Sequence, residues 1–228
     1  MSIVVNPRKE SSVPDELLQR LRGIPPATVG HMWDFGFMSN DLRPVGKRGF
    51  IVCGPAVTVK VMAIDSVVVH NAIDMAEPGD IIVIDRNGDN KHACWGEMTS
   101  LAAKERGVAA TIVDGPATDI VEIEDMGYLV FSTGISPITT RSLAISGEIN
   151  TTVQCGGVSV SPGDIILADD NGVLVIPPER VAEVVERCEP RAQREPVTRK
   201  RLQSGERLSD ISGAGQKLAD ALERQRQG

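Results

Sequence analysis

Leu17, Leu18 and Leu21 recur at helical spacing in "PDELLQRLRG" and Gly23 ends the pattern, so residues 14 to 23 are expected to form a short amphipathic helix. The prolines of "IPPATVGHMWDFG" precede a second helical segment. In "GFIVCGPAVTVKVMA" the period falls to two, with Val57, Val59 and Val61 alternating against Thr58 and Lys60, which predicts one or two strands. Val67, Val68, Ile73 and Met75 return to helical intervals before a Pro-Gly turn, and "DIIVID" then reads as a buried strand. "MTSLAAKERG" is rich in helix formers, so a helix is expected from about Gly96 to Gly107, followed by the strand "VAATIV". Asp119 to Met126 is expected to make a helical turn or two ended by Gly127, and "YLVFSTG" the next strand. From residue 143 onward the pattern is a series of strands with Gly and Asn-Gly turns, closed by a helix from about Pro178.

This order is mixed α/β, with a single domain expected over residues 1–190. Residues 191–228 are polar and heavily charged, with a helix expected at 214 to 226. They form a C-terminal arm that is either solvated or packs Leu218 and Leu222 on the domain or a neighbouring subunit. "PGDIIVIDRNGD" at 78 and "PGDIILADDNGV" at 162 match without gaps, by duplication or because Pro-Gly-Asp is ordinary turn chemistry.

With 228 residues and 41% hydrophobic composition, the chain can bury a sizeable core. Aromatic residues are only 3% and the net charge is −7, which argues against nucleic acid as a partner: it would need stacking platforms and a basic face. Cys53, Cys94, Cys155 and Cys188 form no C-x-x-C pair and stand apart from His31, His70 and His92, which argues against zinc and disulfide frameworks. "MSIVVNPRKE" reaches charge too soon for a signal segment and no apolar run approaches a membrane span, so a cytoplasmic protein is expected.

The candidate chemistry lies in "IVDGPATDIVEIEDMG", residues 112 to 127. On a helix, Asp119 and Glu122 share a face, and Glu97 opens the preceding helix. If the preceding strands are parallel, both loops emerge at one sheet edge, where anions and cations are usually held. Two readings follow: an acidic capping box, in which Asp119 caps an amide three residues on, or a hard cation on two carboxylates. Asp65 and Asp74 are expected to cap or face solvent, Asp169 and Asp170 to shape the Asn171-Gly172 turn, and His70 to lie on a helix surface.

"GPAVTVKV", "AIDMAEPGDIIVID", "WGEMTSLAAKERGVAATIVDG", "TDIVEIEDMGYLVFSTGISP" and "GDIILADDNGVLVIPPE" resemble, in order and spacing over about residues 25 to 190, the 4-hydroxy-4-methyl-2-oxoglutarate aldolases and the related regulator of ribonuclease activity A proteins. The resemblance implies an αββα sandwich like a swivelling β/β/α domain, assembled as a homotrimer or hexamer. It implies that Asp119 ligates Mg2+ or Mn2+, with Glu97 and Glu122 acting through water, and that amides near Trp95, Gly96, Glu97 and Met98 receive the carboxylate of a small 2-oxo acid. The implied activity is a lyase that releases pyruvate by retro-aldol cleavage of a 4-hydroxy-2-oxo diacid or by oxaloacetate decarboxylation. The resemblance also admits a noncatalytic regulator that binds another protein, or a metal-dependent enzyme of different reaction type. The family signature is an acidic residue, twenty residues, Arg-Asp, two residues and another acidic residue; here Thr118 stands in place of the arginine. Loss of a buried cationic donor costs roughly 2 to 5 kcal/mol unless Arg86, Lys91 or Arg141 replaces it or the substrate is less anionic. Glu195 in the arm is a further carboxylate that could reach a neighbouring site.

Overall fold

A computed structural model describes residues 2–46 and 48–227. Its strands are β1 (Ile3–Val5), β2 (Arg43–Gly46), β3 (Ile51–Lys60), β4 (Ile81–Asp85), β5 (Ala110–Ala117), β6 (Leu129–Ile135), β7 (Gly147–Ile149), β8 (Val153–Cys155), β9 (Val158–Val160), β10 (Ile165–Asp169) and β11 (Gly172–Ile176). Its helices are α1 (Asp15–Arg22), α2 (Pro26–Val29), α3 (Val67–Met75), α4 (Glu97–Glu105), α5 (Ile120–Met126), α6 (Val181–Gln203), α7 (Leu208–Ser212) and α8 (Ala214–Gln227).

The centre is a parallel block, β3-β4-β5-β6, whose strands are buried on both faces. Ile82 and Ile84 of β4 point into one core with Val57 and Val59, against α3, α4 and α5. Ile81 and Val83 point the other way, onto Ile166, Ala168, Val173 and Val175 of the β10/β11 hairpin and onto β8 and β9. The far face of that hairpin, through Leu167 and Leu174, packs on Leu18 and Leu21 of α1, Val29 of α2 and Val184 and Val185 of α6. The order is therefore helices, sheet, sheet, helices: the expected αββα sandwich. Ten-residue β3 joins the two sheets, pairing antiparallel with β10 through Ile51–Pro55 and parallel with β4 through Ala56–Lys60.

The two Pro-Gly-Asp segments share a local structure. Asp80 accepts the Glu77 N–H at 2.9 Å and Asp164 the Ser161 N–H at 2.7 Å. Gly79 and Gly163 take φ of 91° and 85°, open to glycine at little cost. At the far ends, Asp85 accepts the Asn87 N–H and Asp169 the Asn171 N–H. The strands between them meet β3 in opposite directions, so what repeats is a turn-strand-turn device.

Two strands were not anticipated from the pattern. β2 is an edge strand antiparallel to β6, where Pro44 is tolerated because an edge needs fewer donors, and β1 joins β7 in parallel with its three residues exposed. α6 runs without a break through residue 190 despite Pro190 and Pro196. Its buried positions, Val181, Val184, Val185 and Cys188, all precede residue 190, and the helix then continues with exposed and half-buried residues to Gln203. In α8, Leu218 and Leu222 are exposed. Among the described residues no helix is long and apolar enough to cross a membrane.

Candidate functional site

Because β4 and β5 are parallel, α4 and α5 begin at the same sheet edge, and the two helix starts are tied together. The Thr118 N–H donates to the Trp95 carbonyl at 2.9 Å, and the Asp119 carboxylate accepts the Glu97 N–H at 3.0 Å and the Thr118 hydroxyl at 3.1 Å. The capping-box expectation is corrected here. Asp119 makes no cap hydrogen bond within α5; its φ of 54° and ψ of 43° are left-handed, which turns its side chain back onto α4. Aspartate tolerates this conformation better than most residues. Asp119 and Glu122 thus do not share a helix face, and Glu122 lies exposed on α5 outside the pocket lining.

The pocket is a cavity of about 250 Å³ lined by Trp95, Gly96, Glu97, Met98, Thr118 and Asp119, with Cys94, His70 and the segment carrying Thr139, Thr140, Arg141 and Ser142 among the residues that complete it. Gly96 leaves room for the Asp119 carboxylate: a Cβ there would lie 2.4 Å from one of its oxygens and 2.7 Å from the Thr118 methyl, so both side chains would have to shift. The four leading amides of α4 divide unequally. Gly96 N–H is held by the Thr99 hydroxyl and Glu97 N–H by Asp119. Among the described residues, the N–H groups of Met98 and Thr99 have no partner, which leaves two donors and the positive helix end free at the pocket. Burial pushes the Cys94 thiol up to about 11, so it stays protonated at neutral pH.

Of the three cations considered to replace an arginine, only Arg141 lines the pocket. Arg86 is buried elsewhere on Asp89 and the carbonyls of Ala63 and His92. Lys91 is exposed outside the lining. Glu195 accepts the Thr28 hydroxyl at 2.6 Å, on α2. Nothing in the local sequence pattern marks Thr139, Thr140 or Ser142, and His70 was expected only on a helix surface.

Asp65 organises the wall of the pocket that carries Arg141. The residue is 2% exposed, and its carboxylate accepts the N–H groups of Val67, Leu143, Ala144, Ile145 and Ser146. Burial pushes the carboxyl up, but the amides of Ile145, Leu143, Val67 and Ser146 together outweigh it and hold the value down at about 2. A depressed carboxyl stabilises the fold above its ordinary pKa and loses that contribution as pH falls through the folded value, here from about 4 to 2. Acid titration of stability should therefore show a slope in that window worth on the order of 2 kcal/mol. Asp65→Asn should flatten it, as followed by circular dichroism.

The comparisons with known proteins agree with this architecture. The RraA-like family model (Aldolase/RraA) matches residues 27–175. The chain belongs to the RraA-like family. An "Uncharacterized protein" of Methanocaldococcus jannaschii is 35% identical over 174 residues, covering 75% of this chain and 83% of its own. A Halalkalibacterium halodurans protein named "Putative 4-hydroxy-4-methyl-2-oxoglutarate aldolase" is 33% identical over 174 residues, covering 76% and 82%. The crystal structure of Streptomyces coelicolor RraAS2, titled an unusual member of the RNase ES inhibitor RraA protein family, superposes with a TM-score of 0.72 at 25% identity, covering 83% of this chain and 99% of that one. The pocket of this RraA-like chain is formed wholly by the matched region, since its lining residues run from Ser66 to Ser142.

Proposed function

We propose that the protein is a divalent-metal-dependent lyase that releases pyruvate from a small 2-oxo acid, by retro-aldol cleavage of a 4-hydroxy-2-oxo diacid or by decarboxylation of oxaloacetate. The observation that carries this reading is the placement of Asp119, turned out of its own helix onto the start of α4 beside two unpartnered amides. Among the described residues no group of three His, Cys, Asp or Glu side chains is arranged to hold a metal, so a closed protein cage is not the fit. The donor set instead suits Mg2+ or Mn2+, which accept one or two carboxylates and fill the remaining positions with water and substrate oxygens. Asp119 would hold the ion, with Glu97 alongside, and the missing side chain at Gly96 keeps that carboxylate open. When bound, the ion supplies Lewis-acid polarisation of the keto acid.

The chain's own groups supply the rest. The Met98 and Thr99 amides receive the substrate carboxylate and fix its plane. Glu97, partly buried at the pocket, holds the water that takes the proton from the 4-hydroxyl; decarboxylation needs no such base. Thr118 offers one hydroxyl, already donated to Asp119. Thr118→Arg would place a guanidinium beside the developing negative charge and is expected to raise turnover about 10- to 100-fold, the worth of one charged hydrogen bond. Purified protein with Mg2+ or Mn2+ should release pyruvate from oxaloacetate in a coupled assay, and chelation should stop it; absence of release with both metals and both substrate types contradicts the reading. A second reading, a regulator that binds another protein, is favoured by the exposed side chains of Met98 and Val121 beside the pocket. It predicts partner affinity indifferent to chelator.

A further inference from the structure

We infer that Arg141 selects a second carboxylate on the substrate and that Asp65 is the residue that positions it, an inference that rests on the proposed reading of the Asp119 site. Arg141 is the permanently charged cation among the residues lining the pocket. Among the described residues its guanidinium makes no ion pair, so neither Glu97 nor Asp119 neutralises it. Arg141 is an exposed member of the pocket lining with no internal counter-ion, so its guanidinium is available to an external carboxylate, which it can engage with two parallel N–H donors. The Met98 and Thr99 amides and the Asp119 corner already account for the 2-oxo acid end. What remains for Arg141 is the other end of a diacid. Thr139, Thr140 and Ser142 on the same segment add hydroxyl groups to that wall. The cavity, at about 250 Å³, is just below the common range of ligand sites and suits a short diacid rather than a cofactor-sized molecule.

The backbone at Arg141 is fixed on both sides. Its N–H donates to the Ile64 carbonyl at 2.7 Å, and its carbonyl accepts the Ser66 N–H at 2.9 Å. Asp65, between those two partners, binds four successive amides of residues 143 to 146. Ala144 and Ala63 take φ of 56° and 51°, a region that alanine rarely adopts, and such strain persists only where surrounding contacts over-determine it. The Asp65 carboxylate is the group that gathers the Ala144 turn, and with it the register that presents Arg141.

Calorimetric titration in excess Mg2+ tests this with 2-oxoglutarate as the diacid and 2-oxobutyrate as the monoacid. Arg141→Gln should weaken 2-oxoglutarate about 10- to 100-fold and 2-oxobutyrate at least tenfold less, with Arg141→Lys recovering part of the loss. Steady-state assays of Arg141→Gln with a 4-hydroxy-2-oxo diacid as substrate should show a matching rise in KM with little change in kcat. Asp65→Asn, verified as folded at neutral pH, should lose the diacid preference although it leaves Arg141 itself intact. If Asp65→Asn does not fold, the Arg141 variants decide. Equal losses for both acids in Arg141→Gln, or no loss, overturn the inference while leaving the Asp119 site standing. Failure of the wild-type protein to bind either acid with Mg2+ overturns the Asp119 reading and this inference with it.

Discussion

Asp119→Asn is expected to lower metal-dependent turnover at least 100-fold, about 2.7 kcal/mol at 1.36 kcal/mol per decade, while leaving the thermal midpoint nearly unchanged. The amide oxygen of asparagine can still accept the Glu97 N–H that Asp119 now accepts at 3.0 Å, so the start of α4 stays capped. Asparagine also tolerates the left-handed backbone at this position, where φ is 54°. The substitution therefore removes the charge and little else. A structural aspartate would be indifferent to that change; one that holds a dication would not. Coupled pyruvate release and differential scanning calorimetry on the same preparation separate the two outcomes, and retention of more than a tenth of wild-type turnover would show that the charge is not used.

Trp95→Ala should produce the largest loss of stability among the pocket residues, roughly 3 to 5 kcal/mol. The indole is 1% exposed, lies parallel to the Tyr128 ring with centroids 6.4 Å apart, and donates its Nε1–H to the Ser100 hydroxyl at 2.8 Å. Its carbonyl accepts the Thr118 N–H, so the same residue anchors α4 and ties it to the start of α5. Truncation leaves a cavity under both helix starts and an unpaired Ser100 hydroxyl. At about 2 to 4 °C per kcal/mol for a domain of this size, the midpoint should fall by roughly 6 to 20 °C. Trp95→Phe keeps most of the ring and should recover more than half of the loss. Urea titration measures both, and a loss below about 1 kcal/mol for alanine would mean that the indole is not the anchor described.

The layered fold was legible because its signals are periodic. The alternation of Val57, Val59 and Val61 and the continuous apolar run of β4 follow directly from burial on one or both faces, and Gly127 and Gly107 mark helix ends by their backbone freedom. β1 and β2 escaped because three or four residues at a sheet edge carry no period, and they are strands only because β7 and β6 offer partners. At the site, Glu97, Thr118 and Asp119 were legible from spacing and resemblance, and the structure brings them to one pocket. The shared face of Asp119 and Glu122 was not, because spacing arguments assume helical dihedrals and Asp119 lies in the left-handed region just before the helix begins. Arg141 could be named only as one of three cations. What singles it out is the segment from Thr139 to Ser142 lying beside Ala93 and Ser66, a contact made across dozens of residues that local pattern does not encode.

The central claim is that the Asp119 corner holds a hard dication together with a small keto-acid-like anion. Isothermal titration of oxalate into the wild-type protein, with and without saturating Mg2+ or Mn2+, tests it most directly. Oxalate is expected to bind only with metal present and to be released on chelation. Oxalate affinity that is absent in both conditions, or identical in both, would contradict it.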